Sequence, residues 1–385
     1  MLLFSSFVPA IVAFLLIIAR IDANPAIMRR LVNEYQSTTR RGLPNQGACT
    51  RHNLAVRKEW STLDILTRKS YINAVKCLAR LPSTIDPLLA PGARSRFDDF
   101  TATHIINTLT IHGTGSFFAW HRHFLYLFEK ALREECGYTG YQPYWEWSHW
   151  ANQPTSANPL YDGSSTSLSG NGRYIPNRNG TFQLLPALNP TPDAFAFFTP
   201  PGTGGGYIYS GPLKNWQLHL GPVVDQYDNG QPVPRNPRPD GLGYNPRGMI
   251  RDFNNTILQR RASWPVVLGL LVNVTDIAPF QILFFSGPHA GGHTFISGID
   301  NDLFTSPGDP LFWFHHAQVD RIWSIWQSRD LGTREFAIDG TQTLFNIPPS
   351  PNATLDDLMP FDFSPPITVR EAMSPTKGLY CYIYD

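Results

Sequence analysis

"HGTGSFFAWHRHF", residues 112–124, gathers three of the chain's eleven histidines beside a tryptophan and three phenylalanines. Two explanations compete for it: a packed helix with satisfied imidazoles, or half of a metal site. The following stretch, "WHRHFLYLFEKALREE", predicts a helix from near Trp120 to Glu135 with Phe124, Leu125, Phe128 and Leu132 on one face. On such a helix His121 and His123 point about 200° apart, so both cannot serve one ion. A preceding helix is expected from about Asp98 to Leu109, capped by Asp98 or Asp99. It carries His104, and His112 falls in the loop after it. His104, His112 and His121 thus form a workable three-imidazole set, and His123 reads as an interfacial histidine.

A second set lies far along the chain. His289 and His293, if helical, project from one face about 5–6 Å apart at Cβ. The glutamate that follows the first histidine of a zinc protease is replaced by Ala290. His315 and His316 sit on the helix predicted by "DPLFWFHHAQVDRIWSIWQSR", with Asp309 as cap and Pro310 at its first position. Being adjacent, only one of them can aim at the point that His289 and His293 share. No carboxylate falls at ligand spacing in either set, which argues against magnesium, calcium and non-haem iron. Three imidazoles suit zinc or copper. Two such sets among tryptophans and phenylalanines suit a redox copper pair better than a hydrolytic zinc pair.

The remaining sequence sets the frame. Length (385 residues) and a 42% hydrophobic content allow a large core. A net charge of +1 gives no electrostatic case for nucleic acid or an anionic membrane as partner. Helical spacing is read over Arg51–Leu81, closed by Pro82, and again over Ile250–Gln259; "GLYCYIYD" at the end alternates like a strand. Residues 151–247, rich in Pro, Gly, Asn and Ser but holding aromatics throughout, predict long packed loops with short strands. Residues 1–23 read as a signal peptide, preferred over a membrane anchor. An even number of cysteines (Cys49, Cys77, Cys136, Cys381) and four sequons (Asn179, Asn254, Asn273, Asn352) fit a secreted, extracellular glycoprotein.

With both histidine sets in view, the chain resembles the tyrosinase / catechol oxidase (polyphenol oxidase) family of dinuclear copper proteins. "TATHIINTLTIHG" and "HGTGSFFAWHRHFLYLFEKALREECG" match its first copper signature; "HAGGH" at 289–293 and "SPGDPLFWFHHAQVDRIW" at 306–323 match its second. The resemblance covers roughly Cys49 to Tyr382, and "YCY" at 380–382 is similar to the tyrosine motif ending the core in fungal members. It implies a mainly α fold: an antiparallel helix bundle holding the copper pair, wrapped by Pro/Gly-rich loops and a few short strands. Residues 24–385 would be a single copper domain without a C-terminal lid.

The resemblance assigns copper A to His104, His112 and His121 and copper B to His289, His293 and His316. His315 would stand behind the ligands, and Asp320 would orient a ligand imidazole. O2 is the implied co-substrate and small phenols the implied partners, with the protein a monomer or weak dimer. Phe117, Phe118, Phe312 and Phe314 suit a dry wall around the ions. His52, His149 and His219 read as surface or structural.

Departures from the family pattern refine the activity. Thr110 stands where many fungal members carry a cysteine bonded covalently to an imidazole. Ala290 follows His289 where efficient monophenol hydroxylases often carry asparagine. The window Ala278–Gln281 lacks the family's water-holding glutamate, leaving Gln281 as substitute; Thr305 is a candidate gate above copper A. An oxidase of o-diphenols with weak or absent monophenol hydroxylation is expected. True tyrosinase activity, an oxygen carrier of haemocyanin type, a dizinc hydrolase and a silent copper-fold binding protein are its rivals. Because domain termini are often close together, Cys49–Cys381 with Cys77–Cys136 is the expected pairing.

Overall fold

The computed structural model describes residues 25–184, 196–223, 227–228, 231–232 and 234–385; the expected signal peptide lies outside them. Among the described residues the longer helices are α1 (Pro25–Gly42), α2 (Ile65–Leu78), α3 (Arg96–Ile111), α4 (Phe117–Glu134), α5 (Asn255–Ala262), α6 (Trp264–Asn273), α7 (Ile277–Phe284), α8 (Ala290–Ile296) and α9 (Leu311–Ser328). The fold is mainly α, and its strands form two-stranded ribbons. Among the described residues no helix is long and apolar enough to cross a membrane.

The core is an aromatic joint between α3, α4 and α9. Phe128 on α4 stacks on Trp313 of α9 with centroids 3.7 Å apart. Phe100 of α3 meets both rings edge-on, at 5.3 Å from Phe128 and 5.5 Å from Trp313. Such pairs add roughly 0.5–1.5 kcal/mol each beyond area burial. This joint is what the apolar face predicted for α4 packs against.

Local chemistry moves several helix starts. α3 begins at Arg96 because Ser95 is its cap: the Ser95 hydroxyl accepts from the Asp98 amide and the Asp98 carboxylate accepts from the Ser95 amide, a reciprocal box. Asp98 is thus the box's third residue, not the cap. α4 starts at Phe117, three residues earlier than expected. α5 starts at Asn255, capped by Asn254, whose side chain accepts from the Thr256 amide; Ile250, expected at its start, is instead drawn into a bridge with Tyr207. Asp309 accepts from the Leu311 amide at 2.9 Å, as its expected capping role requires. Its two oxygens also take Arg251 Nε and Nη2, both at 2.7 Å. Arg251 Nη1 in turn donates to the carbonyls of Leu168 and Ser169, which docks the Pro/Gly-rich loops onto the start of α9.

Of the helix expected over Arg51–Leu81, Ile65–Leu78 forms as α2, and its first part is the main disagreement. Residues Ala55–Arg57 instead pair in parallel with Tyr382–Tyr384, the strand expected at the chain's end. Periodicity within one segment cannot report a partner 327 positions away. Disulfides join Cys49 to Cys381 beside this pair and Cys77 to Cys136 between α2 and the end of α4.

Asp320 on α9 is the hub behind that strand pair. It accepts from Arg122 Nε at 2.6 Å, from the Tyr382 hydroxyl at 2.6 Å and from the Tyr384 hydroxyl at 2.7 Å. Arg57 Nη1 lies 3.5 Å from it, and both arginine side chains are fully buried. This overturns its expected role as a histidine-orienting acid: two buried guanidiniums claim its oxygens. Removing one partner of a buried charge cluster costs about 3–5 kcal/mol. Asp320→Ala is therefore expected to lower unfolding free energy by about that much, read from urea denaturation; a loss under about 1 kcal/mol would contradict the hub.

Candidate metal centre

Four backbone segments deliver the histidines. His104 sits within α3, and His112 is the first residue beyond its end, in extended conformation (φ −117°, ψ 139°). Gly113, at φ +55°, then turns the chain into α4, which carries His121 one turn from its start. On the other side, Pro288 lies in a single π-type turn, Phe285–His289, between α7 and α8. Proline has no amide to donate and its ring crowds the preceding turn, so a wider turn accommodates it. His289 ends that turn, His293 follows on α8, and His316 lies on α9.

Among the described residues two histidine groups have ligand nitrogens within 4.8 Å of one another: His104, His112 and His121, and His289, His293, His315 and His316. They face each other, with His121 stacked on His316 at 4.4 Å between centroids. All but His293 are buried.

For five of the rings the hydrogen bonds fix which nitrogen faces inward; His316 Nδ1 is buried without a partner. His104 Nδ1 donates to the Phe304 carbonyl at 2.8 Å, His112 Nδ1 to Thr108 at 2.9 Å and His121 Nδ1 to Phe117 at 2.8 Å. His289 Nδ1 reaches the Phe285 carbonyl at 3.3 Å. His293 Nδ1 reaches both the carbonyl and the carboxylate of Asp300 at 3.0 Å. A proton on Nδ1 leaves a lone pair on Nε2. Those Nε2 atoms converge: His293 lies 3.2 Å from that of His289 and 3.1 Å from that of His316. The Nε2 atoms of His104 and His121 are buried without a partner. Lone pairs directed at one another or at nothing are costly unless a cation joins them, so the donor set fits a pair of imidazole-ligated ions.

Several expected residues stand elsewhere. The His315 ring lies 4.4 Å from that of His293, packed over Gly292, with neither nitrogen partnered. A Cβ on Gly292 would fall 2.2 Å from that ring. His123 turns away and meets the Tyr380 hydroxyl at 2.7 Å through Nδ1. Gln281 Nε2 donates to the Thr114 carbonyl at 2.7 Å and the Asp339 carbonyl at 3.2 Å. It fastens loops, and none of its hydrogen bonds among the described residues reaches a histidine of either group. Thr305 is 1% exposed, with its methyl against Gly221, so it cannot act as a rim gate. Phe117 lies 4.9 Å from His121 and Phe312 4.1 Å from His316, whereas Phe118 stacks on Trp323 and Phe314 packs on Trp60 and Tyr71 in the core. His219 bonds Asp98 at 2.7 Å and His149 rests edge-on against Trp150, both structural. Sequence reasoning missed Asp300, the acid that does hold a cluster imidazole. Its signal was faint: an acid seven residues past His293, brought back by the left-handed pair Ser297 and Gly298 (φ +56° each).

Burial pushes these imidazoles toward the neutral form, with neighbouring histidines adding to the effect. His112 is lowered to about 3, and His104, His121, His289, His315 and His316 all fall well below the ordinary histidine value. An unfolded chain takes up these protons near pH 6.5, whereas the metal-free folded chain refuses them until far lower pH. Stability is therefore full above about pH 6.5 and falls as pH drops toward 3, by up to about 1.4 kcal/mol per unit for each histidine. Urea midpoints of chelated protein should fall clearly between pH 7 and 5; equal midpoints would contradict this.

Known proteins bear on the site. Residues 94–329 match the family described as the common central domain of tyrosinase. The chain is 72% identical over 346 residues to the tyrosinase-like protein orsC of Emericella nidulans, covering 90% of this chain and 94% of that one. It is 41% identical over 338 residues to tyrosinase P of Aspergillus terreus, covering 86% and 91%. A variant of polyphenol oxidase from Thermothelomyces thermophila superposes with a TM-score of 0.78 at 40% identity, covering 96% of this chain and 97% of that one. Proteins of this kind hold two copper ions through histidines and use O2 as co-substrate, and the two clusters fit that requirement. The chain belongs to the tyrosinase family of copper-dependent, phenol-oxidising oxidoreductases.

Proposed function

We propose that this enzyme oxidises o-diphenols to o-quinones and hydroxylates monophenols weakly or not at all. Copper A would be held by His104, His112 and His121, and copper B by His289, His293 and His316. When bound, the copper pair supplies the electron transfer from the diphenol to O2, which ends as water. The protein fixes the imidazoles, keeps the cavity dry with Phe117 and Phe312, and admits a planar ring.

The observation that carries this reading is that, among the described residues, none of those expected to act as a base is placed to do so. A monophenol, with an ordinary pKa of about 10, needs a group to take its proton. Gln281 is held by the Thr114 and Asp339 carbonyls, and Ala290 offers a methyl group. Asp300 sits on the Nδ1 side of His293, the far side of that ring from the Nε2 cluster. Burial raises the Asp300 carboxyl and its neighbour His293 opposes this, which suits an orienting partner of that imidazole.

We further propose delivery to an oxidising, extracellular compartment. The two disulfides support this, as do exposed sequons at Asn179, Asn273 and Asn352; Asn254 is half-buried as the α5 cap.

Oxygen uptake by copper-loaded protein is expected to be rapid and lag-free with 4-tert-butylcatechol and slow or absent with phenol. Rapid lag-free turnover of phenol without added catechol would overturn the reading, and no turnover of either substrate would favour a carrier. Asp300→Ala should weaken copper binding at one cluster about 10–100-fold. Metal analysis after dialysis against a chelator should then show copper per chain falling from two toward one.

A further inference from the structure

Phe285 and Phe345 stand together beside the imidazole layer, and neither is explained by copper binding. Phe285 stacks on His289 at 4.9 Å between centroids and lies 6.4 Å from His112, so it borders both histidine groups. Phe345 meets it edge-on at 6.0 Å and 82°. Both rings are half-buried, whereas His112, His289 and Phe117 beneath them are buried. Ile282, one turn before Phe285, is 52% exposed. Solvent therefore comes close to the imidazole layer at these two rings.

Phe345 is held there at a conformational cost. Its φ is +52° and that of Asn346 is +61°, the left-handed region that bulky side chains avoid. The surrounding loop enforces the conformation. The Phe345 amide donates to the Gly113 carbonyl at 3.3 Å, and the Ser350 amide donates to Asn346 Oδ1 at 2.8 Å. The Gly115 amide donates to the Thr341 carbonyl at 3.0 Å, tying the loop to the turn between α3 and α4. Gly113 directly follows His112, and a Cβ there would lie 3.0 Å from both the Phe345 and Leu344 side chains. Leu344, 1% exposed, anchors the loop in the core, and the Phe345 ring packs in part against the same apolar cluster.

We propose that Phe345, acting with Phe285, is a specificity-determining residue that orients small planar diphenols at the mouth of the dinuclear site and excludes bulky ones. This rests on the diphenol-oxidase reading above. The backbone conformation that the loop enforces sets where this partly buried ring stands beside Phe285, which itself stacks on His289. Phe285 stacks on His289 and Phe345 meets Phe285 at a steep angle, so a planar substrate approaching the imidazole layer past these rings would meet aromatic surface, which attracts aromatic rings.

The test compares Phe345→Gly, Phe345→Ala and Phe345→Tyr in copper-loaded protein with catechol and 3,5-di-tert-butylcatechol. Glycine and alanine variants should raise KM for catechol about 3- to 10-fold, with a smaller change in kcat. They should also raise the bulky-to-small kcat/KM ratio several-fold. The tyrosine variant should restore the original ratio. Phe345→Gly should melt within a few degrees of the parent, since glycine adopts this φ freely while the packing of one partly buried ring is lost. An unchanged ratio in the alanine and glycine variants, with two coppers retained, would overturn the proposal. A drop of more than about 10 °C in Phe345→Gly melting temperature would instead assign the ring a folding role and also overturn it. Rapid phenol hydroxylation by the parent would refute the diphenol reading without altering the ratio, so the two failures are distinct.

Discussion

Backbone carbonyls grip Nδ1 of five of the six candidate ligand imidazoles, His316 being the exception, and set the geometry on which the centre depends. A histidine ring buried without such a partner can rotate or switch tautomer, and its inward nitrogen is then uncertain. Here the grips come from different places. Thr108, Phe117 and Phe285 each lie four residues before the histidine they hold, so local helical or turn geometry suffices. Phe304 and Asp300 hold His104 and His293 from the segment between α8 and α9. The loop before α9 is therefore part of the centre although it contributes no histidine. Positioning through the backbone also makes the geometry largely indifferent to side-chain identity at those five places, with Asp300 the exception.

The second constraint is electrostatic. Asp320 joins α4, α9 and the strand pair at the chain's two ends through Arg122, Arg57, Tyr382 and Tyr384. α4 carries His121 and α9 carries His316, whose rings stack across the boundary between the two groups. The hub and the imidazole stack clamp the same two helices at different depths, and Phe128 against Trp313 adds a third contact near the start of α9. Arg251 with Asp309 does the same for the loops, in a second fully buried ion pair at the other end of α9.

Much of this could be read in the sequence because the deciding residues are close in the chain. The apolar face of α4, the opposite directions of His121 and His123, and the disposition of His289 and His293 all follow from helical period. What escaped involves distant partners or backbone conformation. The helix expected from Arg51 gave way to a strand because its partner is Tyr382–Tyr384. Asp320 was expected to serve a histidine because nothing local announces Arg57 and Arg122. Thr305 and Gln281 were placed by alignment to a signature, which gives position along the chain but not the direction of a side chain. Phe345 was invisible for a related reason: its place at the mouth depends on a left-handed loop that no periodicity records.

The disulfide between Cys49 and Cys381 has a topological consequence. Every candidate ligand of the first group lies before Cys136, and every one of the second lies after it, separated by the long loops. The bond between Cys49 and Cys381 makes everything from one to the other a closed ring. A single peptide cleavage anywhere in that ring opens it without releasing a fragment. Cut between Cys136 and His289, the chain becomes two polypeptides, each bearing half of the dinuclear site, that remain one molecule. The halves then meet at an effective concentration set by a covalent tether and not by dilution. The exposed loops between them can thus be nicked without the two half-sites being lost to each other.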